Sequence, residues 1–312
     1  MNSTPFITVL ITACDRREFI KGAIDSALSQ SLDKEEYEII VIKNYEDKSI
    51  DKYIRDNDIK YIYSNEESLA GKLIEGIQSS RGKIICFLED DDLFTEGKLL
   101  HVSSLFKKYG DLTYYHNDFM PIDKSGNKTA LLNKSVWFNM SCISVRRDIL
   151  ELDKLRKIGY SELLLYCEAL SFKGKIIKDK FIGTFYRFHS SSSNSIEPSF
   201  EKSKLIWEER KKSHLGELKA LKDFFNDRRI FNLLDSLETG KMIESYLRGY
   251  PGKPKHIMNY LVPRRSNIIY KSRLKKISFY FLSRIFRNRI LRIYDKRKNQ
   301  DYNESKNRLK GE

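Results

Sequence analysis

Over the first 120 residues, short apolar runs alternate with amphipathic stretches. "FITVLITA" (6–13), "YEIIVIK" (37–43), "IKYIYS" (59–64) and "KIICFLE" (83–89) are rich in β-branched and aromatic residues and bounded by polar clusters, as buried strands are. Between them the apolar period lengthens to that of a helix. Residues 17–32 place Phe19, Ile20, Ala23, Ile24, Ala27 and Leu28 on one face, and residues 68–80 do the same with Leu69, Leu73, Ile74 and Ile77. Residues 49–57 predict a short helix, and about 96–109 a longer one. Strands alternating with helices predict right-handed βαβ units and an α/β fold, Rossmann-like, with a mostly parallel sheet flanked by helices.

The next hundred residues are less regular. Residues 111–120 and 137–150 predict strands flanking a loop, 161–172 an apolar helix, and 181–189 a strand entering a serine-rich loop. Residues 201–226 and 232–249 predict helices, closed by the breaker "YPGKP". Three regions follow: a catalytic-type domain over 1–200, a helical extension over 201–250, and a C-terminal region over 251–312.

Charge separates that last region from the body. Residues 251–312 carry 18 Lys and Arg against 4 Asp and Glu, which leaves 39 of each sign in residues 1–250 and places the whole net charge of +14 in the tail. The four cysteines form no CxxC pair, which suits a reduced compartment. The N-terminus has no basic segment ahead of its apolar run and no stretch of 18 apolar residues occurs, so neither a signal peptide nor a spanning helix is expected.

The chemistry concentrates where the fourth strand ends, in Glu89-Asp90-Asp91-Asp92. In open α/β sheets ligands bind outside the carboxyl ends of the strands, and hard cations prefer carboxylate oxygen. Asp91 and Asp92 there suit Mg²⁺ or Mn²⁺ on the phosphates of a nucleotide; capping of the next helix by Asp92 or Thr95 is the structural alternative. No GxxxxGK[ST] or GxGxxG occurs, which weakens the phosphate-loop and dinucleotide readings.

Five stretches in order resemble family 2 glycosyltransferases with the GT-A fold: "ITVLITACDRREFIKGAIDSALSQSL", "YEIIVIKN", "SSRGKIICFLEDDDLFTEGKLL", "SCISVRRDIL" and "GTFYRFHSSSSNS". Together they cover roughly residues 6–195. The resemblance implies transfer of a sugar from a nucleotide-diphosphate donor, a UDP-sugar being favoured, to a saccharide or lipid-linked acceptor, with inversion and a divalent metal. It implies that Thr12 and Cys14 line the base pocket with Asp15 and Arg16 nearby, and that Glu89 opens the acidic motif. Asp91 would contact ribose or metal, Asp92 would hold the metal, and Arg187 and His189 would lie near the leaving diphosphate, His189 as a further metal ligand. Lys72 would assist at the donor phosphates. Glu162 stands where the family presents its catalytic base, with Glu168 and Asp118 as substitutes.

Two departures accompany the resemblance. The second strand ends in Lys43-Asn44-Tyr45-Glu46 where the family has Asp-Asp-Gly-Ser, so Asn44 would accept the bond from the base. Leu163 follows Glu162 where a second carboxylate is expected. A non-catalytic GT-A-like protein that binds nucleotide or glycan is the competing expectation. The segment 268–298 interleaves an apolar stripe with Lys and Arg, which predicts an interfacial helix on an anionic membrane, at the cytoplasmic face; its Phe and Ile content disfavours nucleic acid.

Overall fold

The computed structural model describes residues 4–14, 16–129, 139–159, 161–189 and 200–247. The chain divides into two compact units, Met1–Ser195 and Ile196–Glu312. The segment 251–312, with the predicted membrane helix, lies outside the described residues, as does Asp15.

The first unit is built on one eight-stranded sheet. In chain order its elements are β1 (Ile7–Ala13), α1 (Ile20–Leu28), β2 (Tyr37–Lys43), α2 (Lys48–Asp56), β3 (Lys60–Tyr63), α3 (Leu69–Ser79), β4 (Ile84–Glu89), β5 (Leu93–Phe94), α4 (Lys98–Lys108), β6 (Leu112–Ile122), β7 (Ile143–Arg146), α5 (Leu152–Lys157), α6 (Ser161–Ser171) and β8 (Lys175–Arg187). The strand order is β3-β2-β1-β4-β7-β6-β8-β5. The first four strands pair in parallel; β7 is antiparallel to both β4 and β6, and β8 runs parallel to β6 and antiparallel to β5. The sheet is thus parallel in the half that the strand–helix alternation describes and mixed beyond it.

Every residue of β1 is buried, because helices cover both faces of a parallel sheet. Ile7, Val9, Ile11 and Ala13 pack with Ile20, Ala23, Ile24 and Ala27 of α1 and with Leu99, Val102 and Phe106 of α4. On the opposite face Leu10 and Ile42 lie so close to Gly76 of α3 that an added methyl would stand 2.8 Å from Ile42. Gly82, ahead of β4, lies against the backbone of Thr8, where a Cβ would fall 2.4 Å from its nitrogen. Helix starts follow ordinary capping: the Asp47 carboxylate accepts from Ser49 and Ile50, and the Ser68 hydroxyl from Gly71.

Two strands differ from expectation. The two-residue β5 is too short to show a period. It forms because the chain leaving the acidic turn meets Thr184 and Phe185 of β8. β8 starts at Lys175, six residues before the apolar run at 181–189, because its outer half is only half-buried and carries charge.

The described part of the second unit is a pair of helices, α7 (Phe200–Phe224) and α8 (Arg228–Leu247). Lys222 of α7 pairs with Asp235 and Glu238 of α8 at 3.0 and 2.6 Å, and Leu218, Leu221, Ile230 and Leu234 are buried.

Candidate active site

The carboxyl ends of β1, β2 and β4 lie side by side, with Thr12 opposite Ile42 on one side and Glu89 on the other. The acidic run turns sharply there, the Asp92 N–H donating to the Glu89 carbonyl at 3.2 Å. The turn sends its carboxylates in separate directions. Asp90 points back to β1, accepting from Arg16 Nη2 at 2.5 Å and from the Cys14 N–H at 3.4 Å. Asp91 takes the other arm of the same guanidinium at 2.5 Å and meets His189 Nε2 at 2.9 Å. Asp92 Oδ1 accepts the Arg187 N–H at 2.9 Å, and the side chains of Ser141 and Asn139 favour its charged form.

One guanidinium forked between two carboxylates offsets part of the repulsion, and burial remains the larger effect. Asp90 and Asp92, both essentially inaccessible, are pushed up to about 7 chiefly by burial. Glu89 is raised well above its ordinary value by burial, then by Asp92, Asp91, Glu162 and Asp90. Glu162, half-buried in the first turn of α6, therefore shares the field of the acidic turn. Of the two substitutes for it, Glu168 is buried, accepts from the Glu151 N–H at 3.0 Å and is pushed up to about 8 by that burial. Asp118 is exposed and bonds its neighbour Phe119 at 2.9 Å.

Arg187 and His189 arrive from the end of β8. The Arg187 guanidinium is taken up by main-chain carbonyls, Asp91 at 2.8 Å, Lys124 at 2.8 Å and Asp123 at 3.2 Å, and lies over the Phe19 ring. It braces the acidic turn against the 123–124 turn. His189 also packs on Phe19, ring centroids 5.0 Å apart.

On the β1–β2 side, Thr12 is buried and Cys14 half-buried. The Lys72 ammonium, fully buried in α3, bonds the carbonyls of Glu66 and Glu67 at 2.6 and 3.3 Å, and its charge favours the ionised form of the Cys14 thiol against the opposing effect of burial. Asn44 is half-buried at the mouth. Lys43 turns away from it: its ammonium is buried, 2.7 Å from Asp51 of α2 and 2.5 Å from the Tyr45 carbonyl. Tyr45 crosses to the first loop, donating its phenol proton to the Arg16 carbonyl at 2.8 Å.

A divalent cation fits these residues in one specific respect. Asp92 Oδ2 is buried and has no hydrogen-bond partner of normal geometry among the described residues, a costly state for a carboxylate. No group of three His, Cys, Asp or Glu side chains among the described residues forms a ready metal cage, so Asp91, Asp92 and His189 do not close one by themselves. A cation that keeps water and substrate phosphate as ligands needs only one or two carboxylates.

Sequence reasoning overlooked Asn139, Ser141, Tyr45 and Lys98. Ser141 accepts the Glu89 N–H at 3.0 Å, and the Asn139 side chain accepts from the Ser141 N–H at 2.7 Å. Asn139 and Ser141, short polar residues interrupting an apolar stretch, were the available signal.

Comparison with known proteins accords with this geometry. Residues 8–151 match the sequence model of the family described as Glycosyl transferase family 2. An uncharacterized glycosyltransferase of Rickettsia bellii is 30% identical over 131 residues, which is 41% of this chain and 19% of that protein. One of Rickettsia felis is 27% identical over 124 residues, 38% and 20% of the two chains. The match thus spans about a fifth of the length of these relatives. Among solved structures, S. aureus TarS superposes with TM-score 0.50 at 13% identity, covering 88% of this chain and 54% of its own. The mannosyltransferase PcManGT from Pyrobaculum calidifontis, in complex with GDP-Man and Mn²⁺, gives 0.54 at 8%, covering 91% and 88%. The fold is the GT-A fold. Over residues 8–151 the chain is similar to glycosyltransferase family 2.

Proposed function

We propose that this chain is a glycosyltransferase that moves a sugar from a nucleotide-diphosphate donor to a saccharide or lipid-linked acceptor, with inversion and in a metal-dependent way. The observation that carries the reading is the acidic turn at the carboxyl edge of the sheet, with a buried Asp92 oxygen that has no hydrogen bond among the described residues. Asp91 and Asp92 would hold Mn²⁺ or Mg²⁺, which when bound neutralises charge on the departing diphosphate. Thr12, Cys14, Arg16 and Asn44 surround the place for base and ribose, with Asp15 next to them in sequence. Lys72 orders the loop beside that place through the carbonyls of Glu66 and Glu67. Glu162 takes the proton of the acceptor hydroxyl as its oxygen bonds to the anomeric carbon. The bond from that carbon to the diphosphate breaks in the same displacement, and the electron pair leaves with the diphosphate.

The donor bound by the PcManGT structure, GDP-Man with Mn²⁺, supports a nucleotide-sugar and a divalent ion as the classes to test. A UDP-sugar remains our first choice. No described helix is long and apolar enough to cross a membrane. The interleaved apolar and cationic residues of 268–298 are the basis on which we assign that segment a membrane contact at the cytoplasmic face.

Two observations favour a second reading, a GT-A-like protein that binds nucleotide or glycan without turnover. Leu163 is buried where a second carboxylate would stand, and Lys43 is tied to Asp51. Calorimetry with a panel of nucleoside diphosphates, with and without Mn²⁺, on the wild type and on Asp91→Ala/Asp92→Ala tests the site. Mn²⁺-dependent binding lost in the double variant is expected; binding of no nucleotide would overturn the enzyme reading and leave the second reading only as a glycan binder. Donor hydrolysis or transfer separates them, since only the enzyme turns over.

A further inference from the structure

The mechanism above does not use Lys98, yet this residue is among the most deeply buried in the first unit. It opens α4, six residues after Asp92, with no exposed surface. Burying an ammonium costs several kcal/mol unless it is fully bonded, and a methionine would fill the same space without that cost. Packing therefore does not account for a lysine here.

Its contacts do. The Lys98 ammonium donates to the Ser141 carbonyl and to Thr184 Oγ1, the latter at 3.3 Å, and stands 3.9 Å from the centre of the Phe94 ring. The Thr184 hydroxyl donates to the same Ser141 carbonyl at 2.8 Å and accepts from Asn117 Nδ2 at 3.0 Å. Ser141 then reaches the acidic turn, its hydroxyl accepting the Glu89 N–H and favouring the charged form of Asp92. The titratable groups that interact with Lys98 are the thiols of Cys142 and Cys86 and, through space, Asp92, with His116 behind. No ion pair joins Lys98 to Asp92 among the described residues. The connection runs through Ser141.

We infer that Lys98 is a positioning residue of the acidic centre: it fixes the Ser141 turn, and that turn holds Asp92 and Glu89 in the geometry that binds a divalent cation. The inference rests on the metal-dependent reading proposed above. It separates from a simple counter-charge role by the sign of one effect. Removing a nearby positive charge by itself tightens cation binding. Removing a group that positions a metal-binding carboxylate weakens it.

The test is Mn²⁺ binding to the full chain, followed by electron paramagnetic resonance of the free ion, beside thermal unfolding. Lys98→Met is expected to weaken Mn²⁺ binding about tenfold or more, the range usual for groups that orient metal-binding side chains. Lys98→Arg, which keeps the donors, is expected to restore most of it. Val102→Ala, which removes buried volume from the same helix, is expected to lower the melting temperature and leave Mn²⁺ affinity unchanged. If Lys98→Met does not fold, Thr184→Val carries the test, since it removes the hydroxyl that bonds Lys98, Ser141 and Asn117 and keeps the charge. It is then expected to weaken binding severalfold. Affinity equal to or tighter than wild type in Lys98→Met, or unchanged in Thr184→Val, overturns the inference. Absence of Mn²⁺ binding in the wild type overturns instead the metal reading on which it stands.

Discussion

The Arg187 N–H donates to Asp92 Oδ1 at 2.9 Å across 95 residues of sequence. The bond ties the last strand of the first unit to the acidic turn, and the other Asp92 oxygen has no hydrogen-bond partner among the described residues. A carboxylate held on one side and free on the other is poised to take a cation.

Asp92→Asn should therefore abolish Mn²⁺-dependent nucleotide binding while the fold persists. It also removes one buried charge from a crowded cluster. Without metal, the variant is expected to melt several degrees above the wild type. Scanning calorimetry with and without Mn²⁺ checks both effects; a variant that binds as wild type does would remove Asp92 from the site.

The raised carboxylates make stability depend on pH with a defined sign. Asp90 and Asp92 titrate at about 7 in the folded chain against 3.8 ordinarily. Between those values the folded state holds protons that the unfolded state has released, so metal-free stability is greatest at the acidic end and falls as pH rises through 7. The carboxylates lowered by hydrogen bonds, Glu38, Asp47 and Asp227, act below the ordinary range and are silent above pH 5. Melting temperature measured from pH 5 to 8 is expected to fall, and Asp92→Asn to flatten the slope. A profile that rises over this interval would contradict the burial of the pair.

Arg16 is the cation that both Asp90 and Asp91 share. Arg16→Ala strands Asp90 in the interior and is expected to cost about 2–4 kcal/mol by denaturant unfolding. Arg16→Lys should recover only part, because an ammonium cannot fork between two carboxylates. Full recovery by lysine would show that charge alone matters.

Glu162→Gln is expected to lower turnover by roughly 10²–10⁴-fold, the usual worth of a general base, with donor binding unchanged. Glu168→Gln keeps the hydroxyl-free acceptor for the Glu151 N–H and should leave turnover near wild type. The reverse outcome would move the base from one end of α6 to its middle.

Gly82→Ala tests the frame rather than the site. Its new methyl would lie 2.4 Å from the Thr8 nitrogen, against strand backbone that cannot yield. A loss of about 1–3 kcal/mol is expected in unfolding experiments.

Local sequence determined the first half of the fold. Buried parallel strands must be continuously apolar and their helices must show a 3.6-residue period, so β1 to β4 and α1 to α4 were legible from short windows. The placement of Asp91 and Asp92 followed, because a polar run ending such a strand lies at the carboxyl edge of the sheet, where open α/β folds bind ligands. The direction of each carboxylate was not legible, since it depends on Arg16, Ser141 and Arg187, which converge from β1, the turn before β7 and β8. Neither was β5, whose two residues become a strand only because β8 lies beside them. Nothing in the local sequence marks Lys98 and Lys43 as buried, and only tertiary structure decides which polar groups are available to bond a buried ammonium. Hydrophobic periodicity is a local property of the chain, whereas pairing and desolvation of charge are properties of distant segments brought together.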